Sequence, residues 1–193
     1  MDNTDKFTLK AENYAKYRPS YPSEFIHYLI DQIGIHNSIV ADIGAGTGIL
    51  TKLLAPYVQT IIAIDPNQAM REICVSYCKE LKNTVVMEGC AEETGLPDNS
   101  VDFITAAQAF HWFDKEKCKV EFKRILNKNG QLILVWSQRI HNNDLIREYE
   151  IILKRFYPDF KGLAGGTDTS PDSENDIFLT VNVNTGYLIM IEY

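Results

Sequence analysis

The chain has 193 residues, 45% of them hydrophobic and 23% charged, a composition that supports one ordinary folded domain and excludes a disordered class. A formal net charge of −7 sets a repulsive average field against nucleic-acid phosphates. No apolar run approaches the roughly 20 residues that span a bilayer. Small-molecule partners are therefore expected, rather than nucleic acid or membrane. The polar N-terminus MDNTDKFTLKAENY lacks a secretory pattern and points to a cytoplasmic protein. Oligomeric state leaves no signature in the sequence.

In chain order, two helical stretches come first, about 8 to 16 and 22 to 33. They are joined by Tyr17-Arg18-Pro19-Ser20-Tyr21-Pro22, whose prolines break the helix. From 38 to 138, short apolar runs alternate with stretches of helical periodicity, the pattern of βαβ units. The strand candidates are SIVADI (38 to 43), TIIAID (60 to 65), TVVMEG (84 to 89), VDFITAA (101 to 107) and QLILVWS (131 to 137). They are β-branched and apolar on both faces, as strands buried in a parallel sheet are. Helices are expected at about 48 to 56, 67 to 82, 114 to 127 and 143 to 156. The stop signal Asn127-Lys128-Asn129-Gly130 feeds the fifth strand.

Cys74, Cys78, Cys90 and Cys118 form no CxxC pair and no Cys/His cluster with metal-ligand spacing, so no metal is expected and the thiols read as reduced. Beyond about Lys161 the stretch GLAGGTDTSPDSEND (162 to 176) reads as a polar loop. IFLTVNV and GYLIMIEY then flank Asn184-Thr185-Gly186 as an edge hairpin within 177 to 193.

The densest motif is ADIGAGTG, from Ala41 to Gly48. A buried strand ends there and a helix begins, the position at which open parallel sheets bind ligands. Gly44, Gly46 and Gly48 remove side chains where the backbone turns tightly and comes close to a ligand. A tight turn without a ligand is the competing reading. The dinucleotide pattern GxGxxG fails, because its third glycine would fall on Ile49, and no GK[ST] follows for a P-loop.

What fits is D-x-G-x-G-x-G starting at Asp42, with an acid, Asp65, closing the next strand. This arrangement resembles the class I S-adenosylmethionine-dependent methyltransferases over about residues 7 to 168. YAKYRPSYP, GCAEETGLPDNSVD and QAFHWFD look like the small-molecule group often called type 11, which includes trans-aconitate methyltransferase-like proteins. The resemblance implies an α/β, Rossmann-like fold, a mainly parallel sheet flanked by helices, with residues 1 to 161 as the cofactor-binding core and its N-terminal helical cap. It implies S-adenosylmethionine as cofactor and methyl transfer to a small molecule, a carboxylate among the candidates. A cofactor-binding protein without transfer activity and a NAD-dependent oxidoreductase are the rivals.

The site residues implied are Asp42, Gly44, Ala45, Gly46 and Gly48 at the first turn, and Asp65 for the ribose diol. Pro66 and Met70 would lie against the adenine, and Ala91 and Glu92 near the base edge. Tyr14 and Arg18 would fold over the methionine end, a guanidinium being able to make two charge-assisted bonds to its carboxylate. Gln108 is counted with the cofactor. His111 and Trp112 are the catalytic candidates on the acceptor side, where an aromatic face tolerates a sulfonium and an imidazole can orient an oxygen or take a proton. Several have an ordinary alternative: Asp65 as a helix cap or turn residue, Pro66 and Met70 as plain packing, Glu92 as a helix-start charge, Arg18 as a surface arginine, Phe110 and Trp112 as core, and His111 as a hydrogen-bonded structural histidine. Because the tail departs from the family pattern, an open acceptor pocket with slow turnover is expected.

Overall fold

The computed structural model describes residues 20–136 and 151–157 and, by backbone alone, 188–192. The chain divides into two units, one of residues 1–136 and 183–191 and one of 137–182 and 192–193. In the second unit, residues 151–156 are helical.

The first unit is built on a six-stranded sheet. Its strands are β1 (Ile39–Ile43), β2 (Thr60–Asp65), β3 (Thr84–Glu88), β4 (Val101–Ala107), β5 (Leu126–Trp136) and β6 (Leu188–Glu192), in the order β3-β2-β1-β4-β5-β6. β1 to β5 run parallel. The polar loop expected at 162 to 176 and the first arm of the expected hairpin lie outside the described residues. The second arm supplies β6 beside β5. Among the described residues no helix is long and apolar enough to cross a membrane.

The helices are α1 (Ser23–Tyr28), continued by a π-helical turn (Leu29–Ile33), α2 (Ile49–Leu54), α3 (Gln68–Cys78) and α4 (Lys115–Ile125). Gly34, at φ 78°, ends the first of these in the left-handed conformation that favours glycine. Asn67 starts α3 by accepting the Met70 amide at 3.1 Å, and Asp114 starts α4 by accepting the Lys117 amide at 3.2 Å. Phe25, Ile26 and Leu29 pack with Leu50 and Leu54 onto Val40, Ile61, Ile133 and Val135 to form the main core. After β3 the chain crosses to the other side of β1. With right-handed crossovers on both sides, that reversal puts α4 on the opposite face from α2 and α3.

One expectation is corrected. The fifth strand begins at Leu126, directly after α4, rather than at 131, so Asn127 to Gly130 belong to the strand instead of forming a stop before it. The β4–β5 register explains this: Val101 pairs with Leu126 and Phe103 with Gln131, leaving Asp102 alone opposite Asn127 to Gly130. The bulge is held by Asp102, whose Oδ1 accepts the Asn127 side-chain amide at 2.7 Å and whose Oδ2 accepts the Ile39 backbone N–H at 2.9 Å. One carboxylate therefore ties β4 to β1 and β5 at the end of the sheet remote from the glycine motif.

Candidate functional site

The reversal in strand order falls between β1 and β4, which makes the tips of these strands the topological switch point. Three glycines follow β1, all with positive φ: 70° at Gly44, 56° at Gly46 and 81° at Gly48. Their reasons differ. A Cβ on Gly44 would lie 2.5 Å from the Ala109 Cβ, and one on Gly48 would lie 2.5 Å from the Cys74 Sγ, so both are required by protein packing. A Cβ on Gly46 would meet nothing within 4 Å among the described residues. Gly46 is the glycine that opens onto unfilled space.

The loop is fixed from the β2 side. Gly44 and Ala45 donate backbone N–H bonds to the Ile64 carbonyl at 2.8 and 3.1 Å. Asp65 accepts the Gly46 N–H on Oδ2 at 2.8 Å and the Asn67 N–H on Oδ1 at 2.9 Å. Burial pushes its carboxyl above the usual range, while the Asn67 and Gly46 amides and Arg71 pull the other way. Each oxygen of an ionised carboxylate has capacity for a further hydrogen bond. Arg71 braces the strand tips by donating to the Asp65 carbonyl at 2.9 Å and to Glu88 at 3.0 Å.

Asp42 is placed differently. It is 1% exposed, with Oδ2 accepting the Thr51 hydroxyl at 2.6 Å and Oδ1 the Thr105 hydroxyl at 2.9 Å. Burial raises its carboxyl above the ordinary value, with both hydroxyls opposing. Asp42 joins β1 to α2 and to β4 beneath the loop rather than presenting itself at the open side.

The other candidates divide in the same way. Met70 (3% exposed) and Ala91 (2%) are buried, whereas Pro66 is exposed. Glu92 accepts the Asp114 backbone N–H at 2.6 Å, so it links the β3–β4 connection to the start of α4. After β4, Phe110 is fully buried and meets Phe113 edge-on at 5.8 Å. His111 and Trp112 are exposed on the same 3-10 turn, their rings 4.8 Å apart. Trp112, half exposed, is not a core residue. Tyr14 and Arg18 lie outside the described residues.

The geometry adds Thr51, Thr105, Asn67 and Arg71, which sequence reasoning passed over. Asn67 follows Asp65-Pro66 at a helix start, a legible capping signal. Thr105 matters because it stands opposite Asp42 in the β1–β4 register, which no local pattern encodes. Among the described residues no group of three or more His, Cys, Asp or Glu side chains could hold a metal ion.

Comparison with known proteins gives the same picture. The profile of a methyltransferase domain family matches residues 41–134. A methyltransferase of Mycobacterium tuberculosis is 39% identical over 142 residues, covering 74% of this chain and 56% of its own length. A candidate methyltransferase of Dictyostelium discoideum is 32% identical over 190 residues, covering 93% of this chain and 70% of its own. The chain thus spans little more than half the length of several curated relatives it matches. The crystal structure of YcgJ from Bacillus subtilis is 25% identical, with a TM-score of 0.59 over 82% of this chain and 68% of that one. A candidate S-adenosyl-L-methionine-dependent methyltransferase from Methanococcus maripaludis shares the fold at 20% identity, with a TM-score of 0.63 over 93% of this chain and 83% of that one. With its parallel sheet, its glycine turn at the switch point and these relatives, the chain belongs to the class I S-adenosylmethionine-dependent methyltransferases.

Proposed function

We propose that this chain binds S-adenosylmethionine across the tips of β2, β1 and β4 and transfers its methyl group to a small molecule, with a carboxylate, as in the trans-aconitate type, the favoured acceptor. The observation that carries the reading is the pairing of Gly46 with Asp65. A left-handed glycine faces open space, and its N–H is held at 2.8 Å by a buried carboxylate that can still accept hydrogen bonds.

When bound, the cofactor supplies a methyl group already activated as a sulfonium. Gly44, Ala45, Gly46 and Gly48 shape the floor of the site, with Gly46 admitting the ligand. Asp65 accepts the ribose hydroxyls, and its bonds to Gly46 and Asn67 fix it in place beforehand. Pro66 and Met70, with Ala91 and Glu92, border the adenine. Asp42 serves by holding the glycine turn against β4. Arg18 pairs with the methionine carboxylate, and Tyr14 lines the same end. His111 and Trp112 stand at the acceptor side, where they orient the nucleophile and exclude water. Alignment of this kind is the main contribution the protein has to make. A carboxylate acceptor is already a nucleophile and needs no base, so the role of His111 there would be to orient it.

Calorimetric titration with S-adenosylmethionine, S-adenosylhomocysteine and NADH tests the cofactor. Binding of the first two and not of NADH is expected, and the reverse would return the oxidoreductase reading. Transfer of labelled methyl groups to a panel of small acids, phenols and amines tests the reaction. Cofactor binding without transfer to any of them would reduce the chain to a binding module.

A further inference from the structure

Gln108, the first residue beyond β4, combines two unfavourable features. Its φ is +57°, in the left-handed region that side chains other than Asn and Asp rarely adopt, and its side-chain Nε2 is buried with no hydrogen-bond partner among the described residues. No described residue relieves either feature. The backbone is pinned in this conformation by the Gln108 N–H, which donates to the Val135 carbonyl on β5 at 2.8 Å. The next residue, Ala109, meets the glycine turn at Gly44. The Gln108 backbone is thus tied to β5, while Ala109 abuts the turn that follows β1. Strained residues with unsatisfied polar groups persist where a ligand completes them.

The chemistry of the atom narrows that ligand. An amide nitrogen only donates, so its partner carries an available lone pair, as the oxygens of a carboxylate do. A sulfonium or an ammonium is a cation and does not act as an acceptor. The ribose hydroxyls belong with Asp65 at the tip of β2, on the far side of β1. Three and four residues beyond Gln108, the exposed pair His111 and Trp112 marks the side from which an acceptor enters.

We propose that the Gln108 side-chain amide donates a hydrogen bond to an oxygen of the methyl acceptor, making Gln108 a specificity-determining residue for carboxylates. This rests on the methyltransferase reading above. The methionine carboxylate of the cofactor offers the same oxygen chemistry, and the test separates the two sources.

The side-chain amide resonance of Gln108, identified by its loss in Gln108→Asn, is followed by NMR in the full chain. S-adenosylhomocysteine is added first, with its affinity measured by calorimetry, and then trans-aconitate, benzoate or, as an amine control, phenethylamine. The expected result is a Gln108 amide unmoved by S-adenosylhomocysteine, shifted by at least one carboxylate and indifferent to the amine. Gln108→Asn tolerates the left-handed φ but withdraws the donor by one methylene. It should raise the KM for the responsive carboxylate about 10- to 100-fold, as for a lost bond to a charged group, with cofactor affinity unchanged. A Gln108 amide that moves with S-adenosylhomocysteine alone would assign it to the cofactor and overturn the proposal. So would an amide that no carboxylate moves, or a Gln108→Asn variant with weakened cofactor binding. Failure of the wild-type chain to bind S-adenosylhomocysteine at the first step would instead remove the methyltransferase reading, and this inference with it.

Discussion

Asp42 and Asp65 close adjacent strands, are both buried and both have carboxyls pushed above their usual range, yet they do different work. Asp42 is met by two side-chain hydroxyls from separate elements, so its bonds hold α2 and β4 to β1. Asp65 is met by two backbone amides of the loops flanking the crevice, and one of these belongs to the glycine that faces open space. The same division runs through the glycines, with Gly44 and Gly48 packed and Gly46 open. A motif that reads as one unit therefore contains an anchoring half and a half that opens onto the strand tips, told apart by which atoms donate to each acid.

Substitutions can break this distinction. The largest effect is expected at Asp42. Asp42→Ala orphans the Thr51 and Thr105 hydroxyls and should cost about 3 kcal/mol of stability in urea unfolding. Asp65→Ala should instead weaken S-adenosylmethionine and S-adenosylhomocysteine about 5- to 100-fold by calorimetry, through two ribose bonds each worth about 0.5 to 1.5 kcal/mol. A folded Asp65→Ala chain with wild-type affinity would erase the division. Gly48→Ala, which must displace the Cys74 thiol as well as hold a left-handed φ, should destabilise by about 2 to 3 kcal/mol. Gly46→Ala should cost only the conformational part, about 1 to 2 kcal/mol, and should show its main effect in cofactor affinity.

The smallest effect is a pH dependence away from both aspartates. Glu121 on α4 accepts from Arg124 and from the Thr94 amide and hydroxyl, and its carboxyl is held down to about 2 by Arg124 first and Thr94 next. A depressed acid contributes stability above its ordinary value of 4.5 and loses it as the pH falls through about 2. The stability difference between wild type and Glu121→Gln should therefore be constant above pH 5 and shrink below 4.5. A difference independent of pH would show that the Glu121 charge contributes nothing.

The fold was legible because its strands are short, β-branched and apolar on both faces, which in a chain of this length leaves few arrangements besides a buried parallel sheet. Two strands, 60 to 65 and 101 to 107, fall where their patterns place them. The start of β5 was not legible. Asn127-Lys128-Asn129-Gly130 has turn composition, and only the pairing of Asn127 with Asp102, 25 residues earlier, makes it a bulge. Near the strand tips, the glycine turn after β1 and an acid, Asp65, closing β2 were visible in the sequence pattern. The separate task of Asp42 was not, because it depends on Thr105 standing opposite in the register. The capping role of Glu92 at Asp114 was hidden for the same reason: the two are 22 residues apart, and only the fold brings them together.

Asp102 gathers β1, β4 and β5 through one carboxylate at the end of the sheet remote from the glycine turn. In a cell, a change there would act on how much protein survives quality control rather than on how each surviving molecule performs. Losses of about 1 to 2 kcal/mol are enough to alter abundance several-fold. A carrier of Asp102→Ala would thus have scarce chains of ordinary affinity, and a carrier of Asp65→Ala plentiful chains that bind poorly. Measuring quantity and affinity side by side would tell the two inheritances apart.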